Sequence, residues 1–222
     1  ATKDSDQRLL MGPWTHGEYE VTYAGDSDFG IESHINYNDL KLSWFDHYLK
    51  DMDTEIASWP EVKFFTMGTG DGNIDYEGRL RRGGYWRTSS EWPLKSTQYK
   101  EFYLDRNGRL TSEILELDNQ SSSKYTFDPK NPVPTIGGSL SAAAPWLCPG
   151  AFDQRGNPDR FIGSNNKLPL NSRDDVLTFQ TEELDMDTEV TGPIKVKLWI
   201  SSSAKDTDFT VKLIDLFPST DE

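Results

Sequence analysis

The chain has 222 residues, with 37 acidic against 23 basic side chains and a formal net charge of −14. A field of that sign repels phosphate backbones and anionic membrane surfaces, so neither nucleic acid nor a membrane is an expected partner, and no run of about 18 apolar residues is present to span a bilayer. Seven Trp, nine Tyr and eleven Phe provide bulk for a sizeable core, while the single cysteine, Cys148, rules out an internal disulfide and leaves the compartment open.

After a polar lead (residues 1–7), the apolar run Leu9-Leu10-Met11 predicts a short buried strand that stops at Gly12-Pro13. The loop beyond it presents His16. Loop residues held at the end of a rigid strand are where catalytic side chains commonly sit, and an imidazole titrates close enough to neutrality to act as a general base. Residues 18–35 read as loop, because Gly25, Asp26, Asp28 and Gly30 interrupt regular structure. A helix follows, with Asn36 or Asn38 as N-cap and Leu42, Phe45, Leu49 and Met52 at helical spacing. Asp46 and Lys50 form an i,i+4 pair in the favourable order. This helix is expected to pack on the sheet that the strand before His16 belongs to. The strand-loop-helix order fits the end of an α/β domain, residues 1–58.

From residue 59 onward the pattern changes to period two, punctuated by Gly, Pro, Asn and Asp. Strands are predicted at 61–67, 101–105, 110–117 (after the Asn107-Gly108 hairpin signal), 125–127 and 176–180. Residues 68–84 read as a glycine-rich excursion, 121–123 as a polar turn and 129–134 as a proline-rich link. The clearest alternation puts Ile194, Val196, Leu198 and Ile200 inside and Lys195 and Lys197 outside, and Phe209, Val211 and Leu213 repeat it before Pro218. Many short strands with almost no helical periodicity predict a mostly β sandwich, a jelly roll, over 59–222. Asp-Met-Asp-Thr-Glu occurs at both 51–55 and 185–189, but Ile56 and Val190 stand where a calcium loop requires Gly. Neither a metal nor a cofactor is expected.

The string Gly12-Pro13-Trp14-Thr15-His16 resembles the catalytic-histidine segment of the cocaine esterase-like (CocE/NonD) serine hydrolases. These include α-amino-acid ester hydrolases and are related to X-prolyl dipeptidyl peptidases. Further segments resemble the family in the same order: Trp44-Phe45-Asp46-His47-Tyr48-Leu49, Val62-Lys63-Phe64-Phe65-Thr66-Met67-Gly68, Trp86 with Glu91-Trp92-Pro93-Leu94, Gly137-Gly138, Phe152-Asp153-Gln154-Arg155, and Trp199-Ile200-Ser201-Ser202-Ser203-Ala204. The resemblance implies the C-terminal tail of an α/β-hydrolase domain followed by a jelly roll that packs over the site. It implies that His16 is the base of a Ser-His-Asp triad that cleaves ester or amide bonds.

No Gly-x-Ser-x-Gly turn is present. Gly25-Asp26-Ser27-Asp28-Phe29 lacks the second glycine and follows the histidine instead of preceding it. Serine and aspartate are therefore expected outside this chain, in the rest of the hydrolase domain, on the same or a separate polypeptide. The chain alone is expected to be inactive. Residues 1–58 are expected to be ordered only against further polypeptide, and the sandwich is expected to continue past Pro218.

The expected substrate is a small-molecule ester or short peptide, and a homo-oligomer is compatible with the sequence. By the same resemblance, Ser141 and Ala142, with Ala143, Ala144, Pro145 and Trp146 following, reach the acyl pocket. Trp14 either packs beside the histidine turn or floors the site. His47, beside the apolar stripe of its helix, reads as a hydrogen-bonded structural residue, His34 has no supporting motif, and Trp86 and Trp92 read as sandwich core. Cys148 has no histidine near it in sequence and is not a candidate nucleophile. The alternative from another class is a non-catalytic β-sandwich module that binds a carbohydrate or a protein partner.

Overall fold

A computed structural model describes residues 6–114, 122–142 and 146–217. The expectations for 1–5, 115–117, Ser121, Ala143, Ala144, Pro145 and Pro218 lie outside the described residues. Among those described, the chain forms three small sheets and one α-helix.

β1 (Leu9–Met11) pairs in parallel with β4 (Val62–Met67), which pairs antiparallel with β6 (Gly84–Ser89). The strand that leads to the histidine loop is thus the edge of a sheet centred on β4. Alternate residues of β4 serve two faces. On one, Phe65 meets Trp86 and Phe29 at ring-centroid distances of 5.3 and 6.3 Å. On the other, Phe64 meets Trp92 at 5.5 Å, and the Arg87 guanidinium lies over the Phe64 ring. Both tryptophans read as core do pack on this strand, each half-buried.

Residues 18–35, expected to be loop, contain a hairpin. β2 (Tyr23–Ala24) and β3 (Ser27–Asp28) pair antiparallel around Gly25-Asp26, with Gly25 at φ 65°. Glycine at the first central position supplies the positive φ that a two-residue hairpin turn needs. β5 (Leu80–Arg81), inside the predicted glycine-rich excursion, adds to β3 in parallel. A short 3-10 helix, Ile31–Ser33, follows the hairpin.

The helix α1 runs Tyr37–Lys50, and local chemistry defines it. Of the two candidate caps, Asn36 is the one used: its side-chain oxygen accepts the Asp39 N–H at 3.1 Å. Lys50 pairs with Asp46 at 2.5 Å. Asp51 ends the helix in the left-handed region at φ 54°, and the Met52 N–H returns to the Asp46 carbonyl at 3.1 Å. The expected packing of α1 on a sheet is corrected. The helix contacts the 3-10 turn Glu55–Ser58, none of its residues is buried, and Leu42, Phe45, Leu49 and Met52 are all exposed. The three residues of β1 are paired with β4, and one face of that sheet is filled by the rings of Trp14, Phe29 and Trp86 instead of by the helix.

Beyond β6, β7 (Tyr103–Leu104) and β8 (Leu110–Thr111) form the expected hairpin across Asn107-Gly108, shorter than predicted. The strands read at 125–127 and 176–180 are corrected. Neither segment is a strand, and Gln180 makes only an isolated bridge to Arg109. The alternation at 194–200 is also corrected: no strand pairs there, and Ile194, Val196, Leu198 and Ile200 are exposed. A period of two marks a face that could be buried, but burial requires a partner strand to satisfy the backbone. Among the described residues no strand lies beside this segment. A second small core, Ile136, Phe161 and Leu170 with Phe152 and Cys148 against it, organises residues 136–172.

Candidate functional site

The histidine loop is fixed by its tryptophan. β1 ends at Met11, and the chain turns through Gly12, where a Cβ would sit 2.3 Å from the Trp14 ring, so glycine lets the indole fold back over its own backbone. Trp14 stacks on Trp86 of β6 at 5.7 Å, meets Tyr19 edge-on at 6.1 Å, and donates its indole N–H to the Ser33 carbonyl at 3.0 Å. Trp86 likewise donates to the Glu32 carbonyl at 2.7 Å. The two indoles therefore pin the loop between β6 and the 3-10 helix Ile31–Ser33. Ser33 is fully buried, and its hydroxyl donates to the Gly30 carbonyl at 2.8 Å.

Downstream of the indole, Thr15 is buried, its hydroxyl donates to a Glu18 carboxylate oxygen at 3.2 Å, and its carbonyl accepts the Glu18 N–H at 3.3 Å. His16 and Gly17 form the tip of this turn, and both are exposed. Among the described residues no hydrogen bond, ion pair or ring contact engages the His16 imidazole. The imidazole is held out on a braced turn with both nitrogens available. That arrangement suits proton exchange with groups brought to it, and among the described residues no serine, threonine or cysteine side chain is hydrogen-bonded to it. Ser27, in the Gly25–Phe29 near-match to a nucleophile turn, is a buried residue of β3.

Ser141, Ala142 and Trp146 lie on a different loop. Its base is closed by reciprocal backbone hydrogen bonds between Gly138 and Gly150 at 2.7 and 3.0 Å. Ser141 is exposed, Ala142 half-buried and Trp146 71% exposed, so its indole is free as an apolar surface. No described hydrogen bond, ion pair or ring contact joins these residues to His16. The two loops nevertheless share a support. The Asp26 N–H donates to the Ala151 carbonyl at 2.7 Å and the Ala151 N–H to the Ala24 carbonyl at 3.1 Å, which ties the base of the second loop to the β2–β3 hairpin.

The other histidines and the cysteine make local contacts. His47 hydrogen-bonds the Met52 carbonyl through Nδ1 at 3.1 Å, as a structural histidine at a helix end would. His34 is an exposed residue that closes the Ile31–Ser33 turn. The Cys148 thiol donates to the Arg160 carbonyl at 3.3 Å. A cleft of about 510 Å³ opens elsewhere, between Tyr23, Asp28, Asp75, Arg79 and Arg81. It contains none of the candidate catalytic or substrate-binding residues, and Arg79 there is engaged by Asp75, Glu77 and the Tyr23 ring. The sequence reading missed the Asp26–Arg160 ion pair, whose partners lie 134 positions apart. No local signal could have found it.

The profile of the X-Pro dipeptidyl-peptidase C-terminal non-catalytic domain matches residues 54–222. Over 98% of its length the chain is 34% identical to cocaine esterase of Rhodococcus sp., covering 35% of that protein. A protein of Mycobacterium bovis that carries a serine-esterase name is 28% identical over 95% of the chain, which covers 28% of it, and one of Mycobacterium tuberculosis matches to the same degree. The chain spans about a third of the length of the curated relatives it matches. With a profile match over most of its residues, the chain belongs to the X-Pro dipeptidyl-peptidase C-terminal non-catalytic domain family, and it resembles cocaine esterase across nearly all of its length.

Proposed function

We propose that this chain supplies the general base and the C-terminal scaffold of a serine hydrolase that cleaves ester or amide bonds through an acyl-enzyme. The observation that carries the reading is His16: an exposed, unengaged imidazole at the tip of a turn braced by Trp14, within the string Gly-Pro-Trp-Thr-His. In this reading His16 takes the proton of a serine as its oxygen attacks the acyl carbon, then returns it to the leaving group. A second proton exchange, with water, releases the acid. Serine and aspartate come from the rest of the hydrolase domain. Residues 1–58 are the tail of that α/β domain, and the β-rich remainder belongs to a jelly roll that carries the acyl-contacting loop of Ser141, Ala142 and Trp146. The family match begins at residue 54, beyond His16, which supports assigning chemistry to the first segment and scaffolding to the rest.

The exposed stripe of α1 (Leu42, Phe45, Leu49 and Met52) is the surface that the rest of the hydrolase would cover. The test is hydrolysis of p-nitrophenyl acetate. In the complete protein that contains this chain, His16→Ala should lower kcat by about 10⁴-fold while the protein stays folded. The 222-residue chain by itself should be inactive. Activity of the complete protein that survives His16→Ala would overturn the assignment, as would activity of the isolated chain that this substitution abolishes.

A further inference from the structure

Four contacts converge where the loop carrying Ser141, Ala142 and Trp146 meets the hairpin that follows the histidine turn. Arg160 forks across Asp26, with Nη2 to Oδ1 at 2.7 Å and Nη1 to Oδ2 at 3.0 Å. The guanidinium also lies over the Phe152 ring at 4.3 Å. Immediately beside it, the Asp26 and Ala151 amides exchange hydrogen bonds with the neighbouring backbone. The backbones approach so closely that a Cβ on Gly25 would lie 2.4 Å from the Ala151 oxygen, and one on Gly150 would lie 2.3 Å from the Gly25 nitrogen. Both glycines have positive φ, 65° and 113°, so any side chain there meets steric and conformational strain together.

The same hairpin is bonded to the histidine turn. The Thr22 carbonyl accepts the Phe29 N–H at 2.7 Å and lies 3.4 Å from the Ser33 hydroxyl, as the longer arm of a bond that the hydroxyl shares with Gly30, and the Ser33 carbonyl in turn holds the Trp14 indole. From these contacts we infer that Arg160 and Asp26 are positioning residues, a clasp that holds Gly150 and Ala151, at the base of the loop bearing Ser141 and Ala142, on the hairpin bonded to the His16 turn and thereby tunes which acyl groups the hydrolase accepts. This inference rests on the functional reading above.

A bidentate, stacked arginine suits the role because its planar fork fixes direction as well as distance, which a lysine ammonium cannot do. The pair is only half-buried, with side-chain exposures of 42% and 43%, so it holds a loop in register without being required for folding. The clasp also spans the two small aromatic clusters, since Phe152 packs in that of Ile136 and Phe161, while Ala24 belongs to that of Phe29 and Phe65.

Two measurements test it. In the 222-residue chain, Arg160→Met should speed amide exchange at Asp26 and Ala151 by about threefold, the size expected for losing an exposed but bidentate pair, with the β4–β6 amides unchanged. Arg160→Lys should recover only part of the protection. In the complete protein, Arg160→Met should move the ratio of kcat/KM for p-nitrophenyl butyrate over acetate by about threefold toward one. Unchanged exchange at Asp26 and Ala151 overturns the clasp whatever the enzyme does. Faster exchange with both esters falling in proportion overturns the positioning role and leaves a merely structural one. Absence of ester hydrolysis in the unsubstituted complete protein would sink the functional reading and with it the positioning role, while the exchange result would still decide the clasp.

Discussion

The β4–β6 pair and the stretch 190–217 share a sequence signature, alternating apolar and polar residues, yet the structure gives them opposite environments. In β4, Val62, Phe64 and Phe65 are buried, six residue pairs run along the ladder with β6, and each face is covered by a tryptophan. In the later stretch, Ile194, Val196, Ile200, Val211 and Leu213 are all more than half exposed. Side-chain contacts hold that stretch. Arg82 reaches Asp215 at 3.5 Å, the Lys212 ammonium donates to Gln154 Oε1 at 2.8 Å and to the Ile136 carbonyl at 3.1 Å, and the Phe209 ring meets Tyr125 edge-on at 6.5 Å. Alternation specifies an interface but not its partner. Where the partner strand is supplied within about 25 residues, as β6 is for β4, the pattern is converted into burial, and where it is not, side-chain contacts only tether the segment.

The largest expected effect breaks this comparison from the folded side. Phe65→Ala removes a side chain that is 8% exposed and lies between Phe29 and Trp86, so it should destabilise the chain by about 3–5 kcal/mol. Ile200→Ala, 59% exposed, should change stability by no more than about 0.5 kcal/mol. Urea titration of both variants checks the pair. If Ile200→Ala costs as much as Phe65→Ala, residues 194–200 are buried in solution and the sequence pattern was the better guide.

A smaller effect sharpens the comparison at α1, which is ordered by its ends instead of by burial. Asn36→Ala removes the cap on the Asp39 N–H and should cost about 1 kcal/mol. Amide exchange should accelerate across 37–50 and stay constant in β4. A helix unaffected by losing its cap would have to be held by its apolar stripe against something else, such as a second copy.

These contrasts explain what the sequence disclosed. The turn bearing His16, the cap at Asn36, the Asp46–Lys50 pair and the hairpin at Asn107-Gly108 are set by neighbours a few residues away and are legible, and β4 is legible from its own apolar, aromatic composition. The β2–β3 hairpin lies in a stretch whose glycines and aspartates predict loop, because the same Gly25-Asp26 signal serves equally as a two-residue turn between short strands. The parallel pairing of β1 with β4 joins residues more than fifty positions apart, and the Asp26–Arg160 contact is longer-range still. Periodicity carries no information about such pairings. The candidate site divides in the same way. The histidine turn was evident from its residues, whereas its bracing by Trp86, Ser33 and the β2–β3 hairpin depends on tertiary contacts.

The smallest expected effect concerns a tether that, unlike those of 190–217, is shielded. Arg173 pairs with Asp175 through two hydrogen bonds of 2.7 Å, both side chains are largely buried, and Arg173 also donates to the Asn131 carbonyl at 2.6 Å. The Arg173 hydrogen bonds hold the Asp175 carboxyl below the usual carboxylate range. A folded-state pKa below the unfolded one means that the unfolded chain binds the proton more readily as pH falls. The pair's contribution is therefore fully present above about pH 4, the unfolded aspartate value, and is lost as pH drops through the folded value. Asp175→Asn should lower stability at pH 7 and flatten its pH dependence below about pH 4, whereas Glu182→Gln, on an exposed side chain, should do neither. Urea midpoints at pH 7, 5, 4 and 3 distinguish the two. Parallel acid profiles for the parent chain and Asp175→Asn would mean that the link from Asn131 through Arg173 to Asp175 is not formed in solution, and the region around it would then be tethered no better than residues 190–217.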